Sequence, residues 1–186
     1  MLEKYIKHFI TITKHIHYVR KFCFKCGFYK RGLLQDLSKY SFIEFFSSAK
    51  YFQGTSSPIN AEIEDKGYSL AWQHHKGHNP HHWEYWIDNI GTYENKPIKI
   101  PYEYVIEMIC DWLGAGIVYS RQKVDFNKPY SEPLDYYNKN NEQRIFYPET
   151  QKLIEYFLNE IKENGINYFC KNIKNKKYEE AEKYKK

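Results

Sequence analysis

Apolar residues near the start of the chain recur at helical rather than strand spacing. Phe9, Ile12, Ile16, Val19, Cys23 and Cys26 follow one another at steps of three and four. Such spacing lays a single stripe along a helix. It predicts a first helix over residues 3–27, closed by Gly27. No strong run of period-2 alternation answers it along the 186 residues. The expected fold class is therefore all-α, a single-domain helical bundle.

Punctuation along the chain supplies the other elements. Gly32–Tyr40 reads as a short second helix. Ser41-Phe-Ile-Glu44 has the form of a capping box and opens a third, reaching about Phe52. Residues 53–60 have loop chemistry. Asn60 is placed to cap a helix through Glu64, and Ser69 another that carries Trp72, His74 and His75. Gly77, Asn79 and Pro80 end that helix, and Asn79-Pro80 fits a new start over His81–Trp86. Ile87–Ile100 reads as loop or a short hairpin. Pro101 opens a helix through Tyr119 that contains the small triplet Gly114-Ala115-Gly116. Ser131-Glu-Pro133 and Pro148 start two more, the second ending near Gly165.

Composition narrows the function classes. At 42% hydrophobic and 19% aromatic the chain can bury a core, which argues against wholesale disorder. No apolar run reaches the ~20 residues of a membrane span, and charges fall within the first turn, unlike a secretory signal. The expectation is a cytoplasmic protein without membrane association. The net charge of +5 is concentrated at the end, where Lys171–Lys186 holds seven Lys and three Glu. Residues 166–186 thus read as a Lys-rich helix or tail after a domain of residues 1–165, and nucleic acid is not favoured as a partner. Cys23, Cys26, Cys110 and Cys170 make an even count, yet without a signal peptide they read as buried small hydrophobes rather than a disulfide framework.

The histidines are the chemical signal. Five of the eight lie between His74 and His82, in His74-His-Lys-Gly-His-Asn-Pro-His-His-Trp-Glu-Tyr-Trp86. Dense imidazole with nearby carboxylate suits a divalent metal, the bland alternative being surface and stacking residues. On the first helix His15 falls roughly 50° from the centre of the apolar stripe and His17 roughly 150° away. His15 is the candidate for an interior site, or else a core-edge histidine bonded to a carbonyl. Asp111 sits mid-helix among apolar neighbours, and a buried acid needs a cation, a metal or several donors. Asp36 lies between leucines with Lys39 three residues on, close enough for a simple salt bridge.

In chain order, His15, Asp36 with Lys39, His74-His75 and Asp111 resemble the HD-domain superfamily of all-helical metal-dependent phosphohydrolases. More closely, residues 32–41, Tyr51-Phe-Gln-Gly54, Trp72–Trp86 and Glu107–Trp112 look like a poorly characterised family of small bacterial and phage proteins in that superfamily. The likeness covers roughly residues 10–160. It implies an HD-like bundle holding one or two divalent ions (Mn, Fe, Zn, Mg or Ni) through His15, Asp36, His74, His75 and Asp111. Asp36 and Lys39 would be catalytic, Lys39 stabilising charge on a small phosphorylated, nucleotide-like substrate. Gln35, Asn79, His81, His82 and Glu84 would bind substrate or orient the ligands. The His-Asp dyad of the superfamily is Gln35-Asp36 here, and an amide oxygen is a poorer ligand than imidazole. That change carries the alternative of a catalytically degenerate fold that binds or inhibits a protein partner. The superfamily also includes di-iron oxygenases, a further alternative.

Overall fold

The computed structural model describes residues 2–89, 91, 94–120, 123–139 and 144–185. These are overwhelmingly helical: α1 Leu2–Lys25, α2 Tyr29–Leu34, α3 Phe42–Tyr51, α4 Pro58–Lys66, α5 Leu70–His78, α6 Tyr102–Tyr119, α7 Glu132–Lys139, α8 Pro148–Asn164, α9 Ile166–Lys174 and α10 Glu179–Tyr184. Two 3-10 turns, Leu37–Tyr40 and Trp83–Trp86, join them. Strands β1 (Ile87–Asp88) and β2 (Lys96–Pro97) pair antiparallel, the hairpin option for 87–100. Residues 90, 92 and 93 of that segment lie outside the described residues. No described helix is long and apolar enough to cross a membrane.

Local chemistry explains most helix ends. Gly27, at φ 89, lets the Phe28 and Gly27 amides turn back onto the carbonyls of Cys23 and Phe24, a double closure of α1. Ser41 and Ser69 accept from the amides of Glu44 and Trp72 and start α3 and α5. Other boundaries differ from expectation. Ser57, followed by Pro58 in the first turn, caps α4, so Asn60 lies inside it. Helix α5 runs through Gly77 to His78, and Asn79 closes it instead of opening a new one. The reason is that the Asn79 side chain donates back to the His75 carbonyl at 2.8 Å. The helix expected over Gly32–Tyr40 breaks at Asp36, whose backbone is left-handed at φ 59.

Helix α6 is the central element, buried almost all round by Val105, Ile106, Ile109, Leu113 and their neighbours. Helix α1 crosses it at Gly114, where an added Cβ would lie 2.5 Å from Val19 Cγ2. The buried face of α1 holds Ile12, Ile16, Val19, Cys23 and Cys26 as expected, plus Phe22, while Phe9 is half exposed at its edge. All four cysteines are free and buried. The Lys-rich segment after Gly165 is no frayed tail. Ile166, Phe169, Cys170, Tyr178, Ala181 and Tyr184 pack into the same core, with the lysines facing outward.

His8 replaces Phe9 at the top of the stripe, between the rings of Phe45 and Phe52 at 5.4 and 5.3 Å. Burial, reinforced by the Lys39 charge, pushes its pKa down to about 4. In the unfolded chain the same ring titrates near ~6.5, so the unfolded state takes up the proton first. Stability therefore falls as pH drops from about 6.5 towards 4, by about 3 kcal/mol in full. Urea melts at neutral pH and near pH ~4.5 should show His8→Phe losing about 2 kcal/mol less than wild type.

Candidate metal centre

Asp36 is where the surrounding elements converge. The left-handed turn between α2 and the first 3-10 turn drives its fully buried carboxylate inward, a strain that the packing around it must hold. Its amide donates to Asn79 Oδ1 at 3.2 Å, and Asn79 Nδ2 donates to Ser38 Oγ at 2.8 Å. Asn79 thus ties the α2 side to the end of α5. The two carboxylate oxygens face different partners. Oδ2 lies 2.9 Å from His15 Nε2 and accepts from Lys39 Nζ at 2.5 Å. Oδ1 faces His75 Nε2 at 3.4 Å and His81 Nε2 at 3.5 Å.

Two donor groups result, each with its ligand atoms within 4.8 Å of one another: His15, Asp36 and Asp111, and Asp36, His75, His81 and His82. Asp111 Oδ1 lies 2.9 Å from His15 Nε2, because Gly114 lets α1 and α6 approach one turn away. Asp36 Oδ1, Asp111 Oδ1 and His81 Nε2 are buried and make no hydrogen bond. Buried polar atoms are rarely left so. Their clustering fits a divalent ion that neutral imidazole and carboxylate would hold.

Carboxylates face the outer nitrogens of the His75 and His81 rings. Glu44 Oε2 lies 2.8 Å from His75 Nδ1, which places the proton there and leaves Nε2 as a lone pair facing Asp36 and, at 2.9 Å, His82 Nε2. Glu107 Oε1 faces His81 Nδ1 at 3.3 Å, and its Oε2 accepts from Arg31 at 3.4 Å. Burial pushes the His75 pKa down, aided by Lys39, and the His82 pKa well down, aided by His81 and His75. Burial opposes charge on Asp36, but Lys39 and His15 outweigh it and hold its carboxyl well below the usual range. Burial and Lys39 likewise oppose the His15 imidazolium, yet the neighbouring Asp111 and Asp36 carboxylates raise its pKa.

The expected residues thus divide. His15, Asp36, Asp111 and His75 come together, with Lys39 beside them. His81 and His82, expected to bind substrate or orient ligands, stand among the donors. His74 does not: its Nδ1 faces Glu44 Oε1 at 2.6 Å and its ring stacks on His78 at 4.1 Å. The two adjacent rings part at Glu44: His75 turns its Nε2 to Asp36 at 3.4 Å, whereas His74 lies on the outer side of that carboxylate. Gln35 is buried, its Nε2 donating to the Ile16 carbonyl at 3.4 Å and its Oε1 unpartnered. Glu84 joins neither donor group; burial raises its carboxyl pKa. His17 is exposed.

Sequence reasoning missed Glu44 and Glu107. Glu44 read as the second half of a capping box, yet only the Ser41 half forms and the carboxylate turns to the histidines. Glu107 had a signal, its place four residues before Asp111 on the same helix face. Removing the carboxylate that orients His75 should weaken metal binding about 10–100-fold. Competition with a metal-sensitive dye should show that loss for Glu44→Ala. His74→Ala, which touches the same carboxylate from outside, should stay within about threefold of wild type.

The chain belongs to a family described as Family of unknown function (DUF5662), whose profile matches residues 4–160. No curated protein and no solved structure matches it.

Proposed function

We propose that this DUF5662 protein is a metal-dependent phosphohydrolase built on an HD-like helical bundle, acting on a nucleotide-like or other small phosphoester. The observation that carries the reading is the Asp36 carboxylate, buried and common to two donor groups, with Oδ1 unsatisfied beside His81 Nε2. His15, Asp36 and Asp111 would hold one ion, and Asp36, His75, His81 and His82 could hold a second. A bound divalent ion supplies an activated water and polarises a phosphoryl oxygen. The chain's own residues do the remainder. Lys39 places an ammonium at Asp36 Oδ2, where it can offset charge gathering on the phosphoryl group. Glu44 fixes the ring orientation of His75, and Glu107 faces the outer nitrogen of His81. Asn79 and Ser38 hold the turn that presents Asp36.

Elemental analysis of the purified protein, followed by phosphate release from nucleotides and generic phosphoesters with manganese, tests this. His15→Ala and Asp111→Ala should each lose the metal they share with Asp36, and His17→Ala should lose none. Equal losses from all three, or no stoichiometric metal in wild type after dialysis against manganese, zinc or iron, would defeat the reading.

One observation favours a second reading, a degenerate fold that acts by binding another protein. Gln35 stands at the position of the dyad histidine and spends its amide on the Ile16 backbone. A Gln35→His variant that gains metal and activity absent from wild type would select it.

A further inference from the structure

The fold leaves one broad apolar face uncovered. On α1, Leu2, Ile6 and Phe9 follow at steps of four and three with Ile10 beside them; Phe42, Ile43 and Phe46 of α3 and Tyr40 continue the surface. Each of these eight residues is between 40% and 76% exposed. Ring contacts through Phe45 join its aromatic part, with Phe9 5.8 Å from Tyr40 and 6.4 Å from Phe45, Phe45 5.4 Å from Phe46, and Phe46 4.6 Å from Phe42. At about 200 Å² per free residue of this size, the eight leave roughly 800 Å² uncovered. The largest apolar patch of a typical monomer is about 300–600 Å², whereas a standard stable interface takes about 800 Å² from each partner.

We infer that this face docks a second copy of the chain across a two-fold axis. Helices α1 and α3 lie side by side as a layer, and a two-fold axis lets such a layer meet itself as a four-helix arrangement. Charges stay at its margin, and three of them are engaged. Lys7 pairs with Glu3 at 2.7 Å, and Lys4 donates to the Lys50 carbonyl at 2.5 Å. Docking therefore buries apolar surface without stranding a charge. Pairing also braces the candidate centre from behind. Tyr40 ends the 3-10 turn that carries Ser38 and Lys39, and Ile43 precedes Glu44.

Sedimentation equilibrium of the full chain at tens of micromolar should give twice the chain mass. Phe42→Glu and Ile6→Lys alter exposed positions, so both should keep the wild-type helical circular dichroism while weakening self-association at least about tenfold. Tyr168→Glu, on the exposed side of α9, should remain dimeric. A monomeric wild type, or a dimer that survives both substitutions, overturns the inference. So does pelleting of wild type, but not Phe42→Glu, with phosphatidylglycerol vesicles, which would assign the face to lipid.

Discussion

Asp36→Asn will purify without stoichiometric metal, and no other single substitution should empty both donor groups. Asp36 alone belongs to both. Asparagine keeps the shape of the side chain and tolerates the left-handed backbone at φ 59, so the loss reads the charge and not the fold. Elemental analysis should show near-zero metal for Asp36→Asn, against partial loss for Asp111→Ala or His82→Ala. Full metal in Asp36→Asn would remove Asp36 from the centre. Asp36→Ala adds a stability effect. It strips Lys39 Nζ and the rings of His15, His75 and His81 of the carboxylate they face, and breaking a buried ionic cluster on one side costs about 3–5 kcal/mol. Asp36→Gly should recover about 1 kcal/mol of that by relaxing the left-handed turn. Urea melts of the three variants separate these contributions.

The second large effect comes from a residue with no side chain. Gly114→Val would set atoms where Val19 Cγ2 lies 2.5 Å and the Val19 amide nitrogen 3.3 Å from the first added carbon. The nearer atom belongs to a stiff β-branched side chain and the other is backbone, so a rotamer change cannot make room. Helices α1 and α6 must separate, at a cost of about 3 kcal/mol and a fall in Tm of roughly 6–12 °C. His15 and Asp111, one turn away, move apart with them, so metal affinity should fall together with Tm. Val19→Ala in the same chain should restore part of both. Independent responses of the two readouts would show that the crossing does not set the centre. Gly77→Ala is the counterpart. Nothing lies within 4 Å of the added carbon, and alanine in the last turn of α5 should raise stability by less than about 1 kcal/mol.

These effects mark what was legible in the chain. The α1 stripe, the serine caps at Ser41 and Ser69 and the glycine closures at Gly27 and Gly165 are local, since the residues that decide them lie within a turn of one another. His15, Asp36 and Asp111 could be nominated because a polar group on an apolar face needs a partner. The division of the histidines could not be read locally. It depends on where α5 ends and on Asn79 folding back to the His75 carbonyl, a competition that the Asn-Pro signal hides. Glu44 illustrates the same limit. Its spacing from Ser41 satisfied a helix-start pattern, and only the packing of α3 against α5 offered its carboxylate two imidazoles instead.

The seal formed by α9 and α10 bears on the order in which the protein is made. Helix α1 is made well before α9, and Lys25 finds its partner Asn167 only 142 residues later. Ile100 likewise meets Tyr184 only 84 residues later, whose hydroxyl donates to its carbonyl and meets Thr150 Oγ1 at 2.7 Å. Until those residues emerge, the faces of α1 and α8 that they cover are open to water and to other nascent chains. The family match ends at residue 160, but cooperative folding must await some twenty residues beyond it. Chaperone contact during synthesis should be concentrated on that interval.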